Sequence, residues 1–337
     1  MAIYHNSFQV IGRSSGRSAT AAAAYRAGEK IVDERTGEIH DYTRKEGVDY
    51  KEILLPENCG DWAKDRALLW NMTELAEKRK DAQLAREQTI AIPIELTPEQ
   101  GRQLVREYAQ SNFVDKGMIA DICIHGESTH NPHAHIMLSM REAQAEGLGQ
   151  KVRDWNSKEQ LEAWRKNWAN CCNRALEISG ASVTIDHRSY AEQGIDKIPT
   201  IHQGPAATEI HRKGQESYIV HINMQIADNN REFLSAQKEL QEVNALLAEI
   251  QDRTPEEKQQ EHGDEGAAVQ SELAEAERVQ VGVERMRAQA REWRLAQEEK
   301  ERQERERKAL EQQKAKEQAE KARQQTQQPS RGPSMGG

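Results

Sequence analysis

No two cysteines in this chain stand in a CxxC pair. The four present are Cys59, Cys123, Cys171 and Cys172. Adjacent Cys171 and Cys172 do not readily bridge each other, so all four are expected to be reduced thiols in a cytoplasmic protein rather than a disulfide framework. No stretch approaches the roughly 18 apolar residues of a membrane span, which excludes a spanning helix. The opening MAIYHNSFQV lacks the basic-then-apolar layout of a secretory signal, so a soluble, cytoplasmic chain is expected. Positive charge is not in excess either. The net charge is −9, divided as about −4 over residues 1–220 and about −5 over the rest. A nucleic-acid function would therefore need a local basic cleft or a metal. The pattern GxxxxGK[ST] is absent, which excludes a P-loop motor from these residues.

Apolar residues make up only 36% of the 337 positions and charged ones 31%, too polar for a chain that is globular throughout. The polarity is uneven. Residues 1–11 place Ile3, Tyr4, Phe8, Val10 and Ile11 as a buried strand would. GRSSGRS (12–18) is a small-residue loop, and SATAAAAYRAGEKI (18–31) predicts a helix with Ser18 or Thr20 as N-cap. A turn or hairpin is expected around Gly37. Helices are expected over 62–80, 97–113 and 157–180, the second opening on Thr-Pro-Glu. Strands are expected over 88–96, 118–125 and 133–140, the last two joined as a hairpin. Interleaved strands and helices predict an α+β domain over 1–220, with an antiparallel sheet flanked by helices. Residues 221–325, rich in Glu, Gln, Lys, Arg and Ala with many i,i+4 opposite charges, predict a long charged helical or coiled-coil extension interrupted by TPEEKQQEHGDEG (254–266). Residues 326–337 predict a disordered tail.

HGESTHNPHAHIML (125–138) packs four histidines into eleven residues. On a strand, residues i and i+2 share a face, so His133 and His135 project together across Ala134. An antiparallel hairpin brings His125, at the end of the preceding strand, alongside them. Three imidazoles on two strands form a metal site with open positions, the arrangement of a metal that does chemistry. Three neutral ligands also leave a divalent ion its full charge, suited to an anionic ligand such as phosphate. His130, in the loop before Pro132, falls outside this register.

A phosphate-binding metal invites a nucleophile. Of the seven tyrosines, Tyr25 ends an alanine run behind the GRSSGRS loop, where small side chains let a substrate backbone approach. Arg13, Arg17 and Arg26 are candidates to hold phosphates nearby. A tyrosine hydroxyl can form a covalent phosphoester. On its own, a helical tyrosine is more often a packing residue.

HNSFQVIGRSSGRSATAAAAYRAGE (5–29), AREQTIAIPIEL (85–96) and HGESTHNPHAHIML, in that order, resemble the three motifs of MobA/MobL plasmid-mobilisation relaxases, the MobQ-type group of HUH endonucleases. The likeness runs over roughly residues 1–215, including DHRSYAEQGIDKIPTIHQGPAATEIHRKG (186–214). It implies a relaxase-type fold and a site- and strand-specific nick in single-stranded DNA at a plasmid transfer origin. Tyr25 would be the nucleophile, leaving a 5′-phosphotyrosine and a free 3′-hydroxyl. His125, His133 and His135 would hold Mg²⁺ or Mn²⁺, and Glu87 would match the acid of the second motif and orient a ligand histidine. Implied partners are the origin DNA, accessory proteins of the relaxosome, and the coupling protein with its type IV secretion system. The implied setting is the cytoplasm of a plasmid-bearing bacterium.

Two alternatives stay open from sequence. A rolling-circle replication initiator shares the histidine site but usually carries its tyrosine downstream, whereas Tyr25 lies about a hundred residues upstream of His125. A non-catalytic DNA-binding protein would close a structural zinc site with a fourth ligand, for which Cys123, on the same strand face as His125, is the nearby thiol.

Overall fold

The computed structural model describes residues 3–201, 203–252 and, between 274 and 307, residues 274, 277–289, 291–293, 295, 296, 299, 302, 303, 306 and 307. The interruption at 254–266 and the tail at 326–337 lie outside the described residues. The chain divides into two compact units, Met1–His187 and Arg188–Gly337. Residues 188–220, expected with the first domain, group with the second unit.

The first unit is α+β, as its alternating pattern predicts. Its main sheet is antiparallel, with β4 (Val48–Leu54) and β1 (Asn6–Gly12) at the edges. Between them lie β5 (Gln83–Ala91), β7 (His133–Ser139) and β6 (Ala120–His125), in the order β1-β5-β7-β6-β4. Two small ribbons complete the strands: β2 (Lys30–Val32) with β3 (Ile39–Asp41), and β8 (Arg141–Gln144) with β9 (Gly147–Lys151). Alternation along each strand divides the side chains between two cores. Ile90, Ala134, Ile136, Ile122 and Ile124 face α3 (Pro98–Asn112) and α4 (Lys158–Ile178), which contribute Tyr108, Trp164 and Trp168. Ile11, Ala85 and Met137 face α1 (Ala19–Ala27) and α2 (Arg66–Ala76), with Ala23, Ala24, Leu69 and Trp70. Trp70, Trp164 and Trp168 are fully buried, and truncating such a side chain to alanine costs about 3–5 kcal/mol.

Local chemistry explains where the elements begin and end. Ser18 caps α1 by accepting from Ala21 N, and the helix stops at Ala27, short of the expected residue 31. Gly28 takes a left-handed φ of 62°, which glycine adopts without strain, and turns the chain into β2. Thr97 and Gln100 form a reciprocal capping box on α3. The strand expected over 88–96 needs correction. Where alternation predicts 88–96, β5 runs over Gln83–Ala91. Its middle, Arg86-Glu87-Gln88, reads as polar surface, yet all three side chains are buried in the sheet. β4 and the β8–β9 ribbon carry no clear apolar alternation and were not expected at all.

In the second unit, α5 (Gly204–Arg212) precedes α6 (Tyr218–Asp252), the long helix that the charge pattern implies. Ile198 and Ile226 form a small core with Ile222 and Trp293, and the side-chain amides of Asn223 and Asn230 each bond both main-chain groups of Ile201 and Ile198.

Candidate metal centre and nucleophile

His125 and His133 are directly opposed across β6 and β7, and His135 follows two residues along. Because Ala134 and Ile136 point into the α3/α4 core, the histidines must point to the other face, toward α1. The three imidazoles come together there with their candidate ligand nitrogens within 4.8 Å of one another. Their ring centroids are 5.0–5.4 Å apart. His130 is exposed in the loop and does not join them.

The hydrogen-bond partners fix the proton on each ring. A carbonyl or carboxylate oxygen only accepts, so the ring nitrogen facing it must carry the hydrogen. Nδ1 of His133 donates to the Asn131 carbonyl at 2.9 Å. Nδ1 of His135 donates to Glu87 at 3.1 Å, with the Thr89 hydroxyl at 3.2 Å from the same nitrogen. Nε2 of His125 donates to the Arg26 carbonyl at 2.7 Å. The lone pairs are thus on Nε2 of His133 and His135 and on Nδ1 of His125. Burial disfavours imidazolium, pushing His125 down to about 4 and His135 below its ordinary value. Neutral imidazoles held by oxygen acceptors are the donor set a divalent ion needs.

Glu87 is fully buried in β5, an interior strand of the sheet rather than an edge. Besides His135, its carboxylate meets Arg17 at 3.2 Å and the Nε of Arg26. Burial alone would raise its pKa, but the hydrogen bonds from His135 and Arg26 outweigh this and bring it down to about 2. Arg17 is also held by Gln9, at 2.8 Å from its side-chain oxygen.

Tyr25 lies on the last turn of α1 with 44% of its surface exposed. Its neighbour Arg26 supplies the carbonyl that holds His125. Tyr42 packs edge-on against the Tyr25 ring at 5.2 Å between centroids. The Lys45 ammonium lies 3.9 Å from the ring centroid and donates to the Tyr25 carbonyl at 2.8 Å. Arg13, expected with the phosphate-holding residues, is turned away. It bonds Glu74 and the main-chain carbonyls of Glu74, Glu77 and Arg79, closing the C-terminal end of α2. Arg17, Arg26 and Lys45 remain against one carboxylate, which makes this face locally positive in a chain of net charge −9. Lys45 and Thr89 are not singled out by the sequence: Lys45 lies outside the three motifs and Thr89 inside the second, and only the fold brings both here.

Cys123 stands opposite His135 in the register, but the metal-competent group holds three histidines and no thiol. All four cysteines are free.

A five-stranded antiparallel sheet that carries a three-histidine cluster on its central hairpin, beside a tyrosine-bearing helix, has the architecture of a relaxase-type domain. The sequence profile of the MobA/MobL family matches residues 17–213, and the chain belongs to that family. It is 42% identical over 252 residues to Mobilization protein MobL of Acidithiobacillus ferridurans, covering 64% of this chain and 66% of that one. It is 38% identical to the conjugal transfer protein TraA of Rhizobium radiobacter over 64% of this chain but only 22% of that protein. The chain therefore spans just under two thirds of the first relative and about a fifth of the second. Among solved structures, one described as the molecular basis of vancomycin resistance transfer in Staphylococcus aureus is 39% identical, with a TM-score of 0.53, over 56% of this chain and all of that one. No helix among the described residues is long and apolar enough to cross a membrane.

Proposed function

We propose that this protein is a relaxase that cuts one strand of DNA at a plasmid transfer origin by tyrosine transesterification. The observation that carries the reading is the bond from His125 to the carbonyl of Arg26, which joins the histidine cluster to the turn that presents Tyr25. Tyr25 Oη gives its proton to solvent and attacks phosphorus. The bond to the 3′ oxygen breaks, and that oxygen leaves with the electron pair and takes up a proton. The products are a 5′-phosphotyrosine and a free 3′-hydroxyl, and the covalent intermediate preserves the phosphodiester's energy for religation. Held by His125, His133 and His135, Mg²⁺ or Mn²⁺ would supply Lewis-acid polarisation of a phosphoryl oxygen. Arg17 and Arg26 place positive charge toward the phosphate, and buried Glu87 holds both guanidiniums and the His135 ring in place. Glu87 is thus a positioning residue.

The partner DNA of this reading is single-stranded at the nick, which suits a face whose positive charge is the local group Arg17, Arg26 and Lys45. Family membership supports a wider setting for this reading: a cytoplasmic relaxosome with accessory proteins, and a coupling protein that delivers the complex to a type IV secretion system. The test is Tyr25→Phe. With oligonucleotides spanning the transfer origin and Mn²⁺, the parent chain should give a covalent adduct on a denaturing gel. The Phe variant should bind the same DNA and give none. An adduct of normal yield from the variant would remove Tyr25 from the reaction.

A further inference from the structure

The loop Tyr42–Gly47, between β3 and β4, wraps the end of α1 where Tyr25 stands. Tyr42 supplies an aromatic edge to one side of the Tyr25 ring. Lys45 supplies both a cation over the ring, 3.9 Å from its centroid, and a hydrogen bond to the same residue's carbonyl at 2.8 Å. The loop is tied to the chain just past the helix end by Tyr42 N, bonded to the Glu29 carbonyl at 3.1 Å, and is closed on itself by Lys45 N, bonded to the Tyr42 carbonyl at 2.9 Å. The loop packs on the turn at Gly28 at ordinary contact distance. A Cβ on Gly28 would meet Val48 at 3.4 Å, with the Lys45 and Tyr42 carbonyls at 3.6 and 3.8 Å.

Lys45 differs from the other two cations at this site. Arg17 and Arg26 both end on Glu87, although Arg26 also comes within 5.0 Å of the Tyr25 ring centroid, whereas Lys45, nearer that ring, has no ion-pair partner among the described residues. A half-buried ammonium without a carboxylate, fastened to the backbone of the residue whose ring it covers, is placed for that ring. We propose that Lys45 is a positioning residue for the nucleophile: it fixes the Tyr25 ring relative to its own backbone and opposes the negative charge that ring carries as the phenol oxygen attacks. A cation over an aromatic face attracts the ring quadrupole and attracts a phenoxide more strongly. The effect therefore grows along the reaction coordinate, which is the condition for raising a rate rather than an affinity.

The inference rests on Tyr25 being the nucleophile, and the experiment separates the two. Lys45→Met and Lys45→Gln remove the charge and keep most of the stem; Lys45→Arg keeps the charge. Each full-length variant is mixed with excess labelled single-stranded oligonucleotide spanning the transfer origin and with Mn²⁺. Single-turnover adduct formation is timed on a denaturing gel, and affinity for the same oligonucleotide is measured by anisotropy without metal. The neutral variants should form adduct about 3- to 30-fold more slowly, with Kd within about threefold of the parent because a single cation is lost. Lys45→Arg should recover most of the rate. A Tyr25-dependent adduct formed at the parent rate by both neutral variants would overturn the role of Lys45 alone. So would equal losses of rate and affinity, the mark of a simple phosphate contact, or a loss of rate that arginine does not rescue, the mark of packing. An adduct that persists in Tyr25→Phe would overturn the nucleophile reading and this one with it.

Discussion

His125 donates from Nε2 to the main-chain carbonyl of Arg26 at 2.7 Å, so the end of a sheet strand holds the last turn of the helix that carries Tyr25. The contact makes the imidazole cluster and the tyrosine one mechanical unit. It also leaves Nδ1 as the donor of His125 while Nε2 serves in His133 and His135.

Removing a ring from this cluster should remove the metal. His125→Ala, His133→Ala and His135→Ala should each lower Mn²⁺ affinity by at least about 100-fold, because among the described residues these three ligands are the whole group. His130→Ala should bind Mn²⁺ like the parent, since His130 is exposed and outside the group. Isothermal calorimetry with Mn²⁺ alone checks this without reference to DNA cleavage. Equal losses in all four variants would show that the cluster is not the binding site.

The charge on Glu87 should matter more than its shape. Glu87→Gln keeps the volume in a site with no exposed surface but no longer neutralises Arg17 and Arg26. It also gives His135 a weaker acceptor at Nδ1. Loss of such an outer partner typically costs about 10- to 100-fold in metal affinity, and that range is expected here. The two unneutralised guanidiniums should lower the melting temperature as well, which calorimetry and circular dichroism on one sample would separate.

How much of this was readable in advance depends on whether the signal was local. His133 and His135 sit two apart on one strand, and strand periodicity alone puts them on one face. His125 needed only the short hairpin. Glu87 was marked by a family motif, but its burial was not visible. Arg86-Glu87-Gln88 has the composition of an exposed turn, and its partners come from residue 6 to residue 156. The same holds for Lys45, whose only meaning is its position across a loop closure from Tyr25. Arg13 shows the converse. It lies just before the other two candidate phosphate-holding positions in sequence, yet the carbonyls at the end of α2 capture it, and the loop turns away after it at Gly16, with a φ of 68°.

Acid stability should report on Asp33, which anchors the start of α1. Burial would raise its pKa, but hydrogen bonds from Thr20 and Thr36 outweigh this and hold it below the usual carboxylate range. The folded state thus favours the ionised form. The sign follows: this stabilisation is present above the unfolded carboxylate pKa and is lost as pH falls through the lower folded value. Asp33→Asn should reduce stability at pH 7 by about 1–3 kcal/mol and should flatten the fall of Tm between about pH 5 and pH 3. Parallel Tm-versus-pH curves for parent and variant would show that Asp33 is not a source of the acid sensitivity.

The boundary between the two units makes a last prediction. Both large cores and every proposed site residue lie within Met1–His187. Beyond it, Ile198 and Ile201 are held by Asn230 and Asn223 of α6. A cut near residue 220 would therefore strip partners from residues 188–214, whereas a cut after His187 removes both sides of those contacts together. A chain ending at His187 should melt cooperatively, as a domain with its own core does. It should also form the Tyr25 adduct on a short single-stranded oligonucleotide within about tenfold of the full-length rate, a difference of about 1.4 kcal/mol. The charged helices that follow have the spacing of a solvated or partner-docking surface, so their removal should reduce plasmid transfer between cells far more than oligonucleotide cleavage. A truncated protein that stays folded by circular dichroism but forms no adduct would place part of the second unit in the reaction.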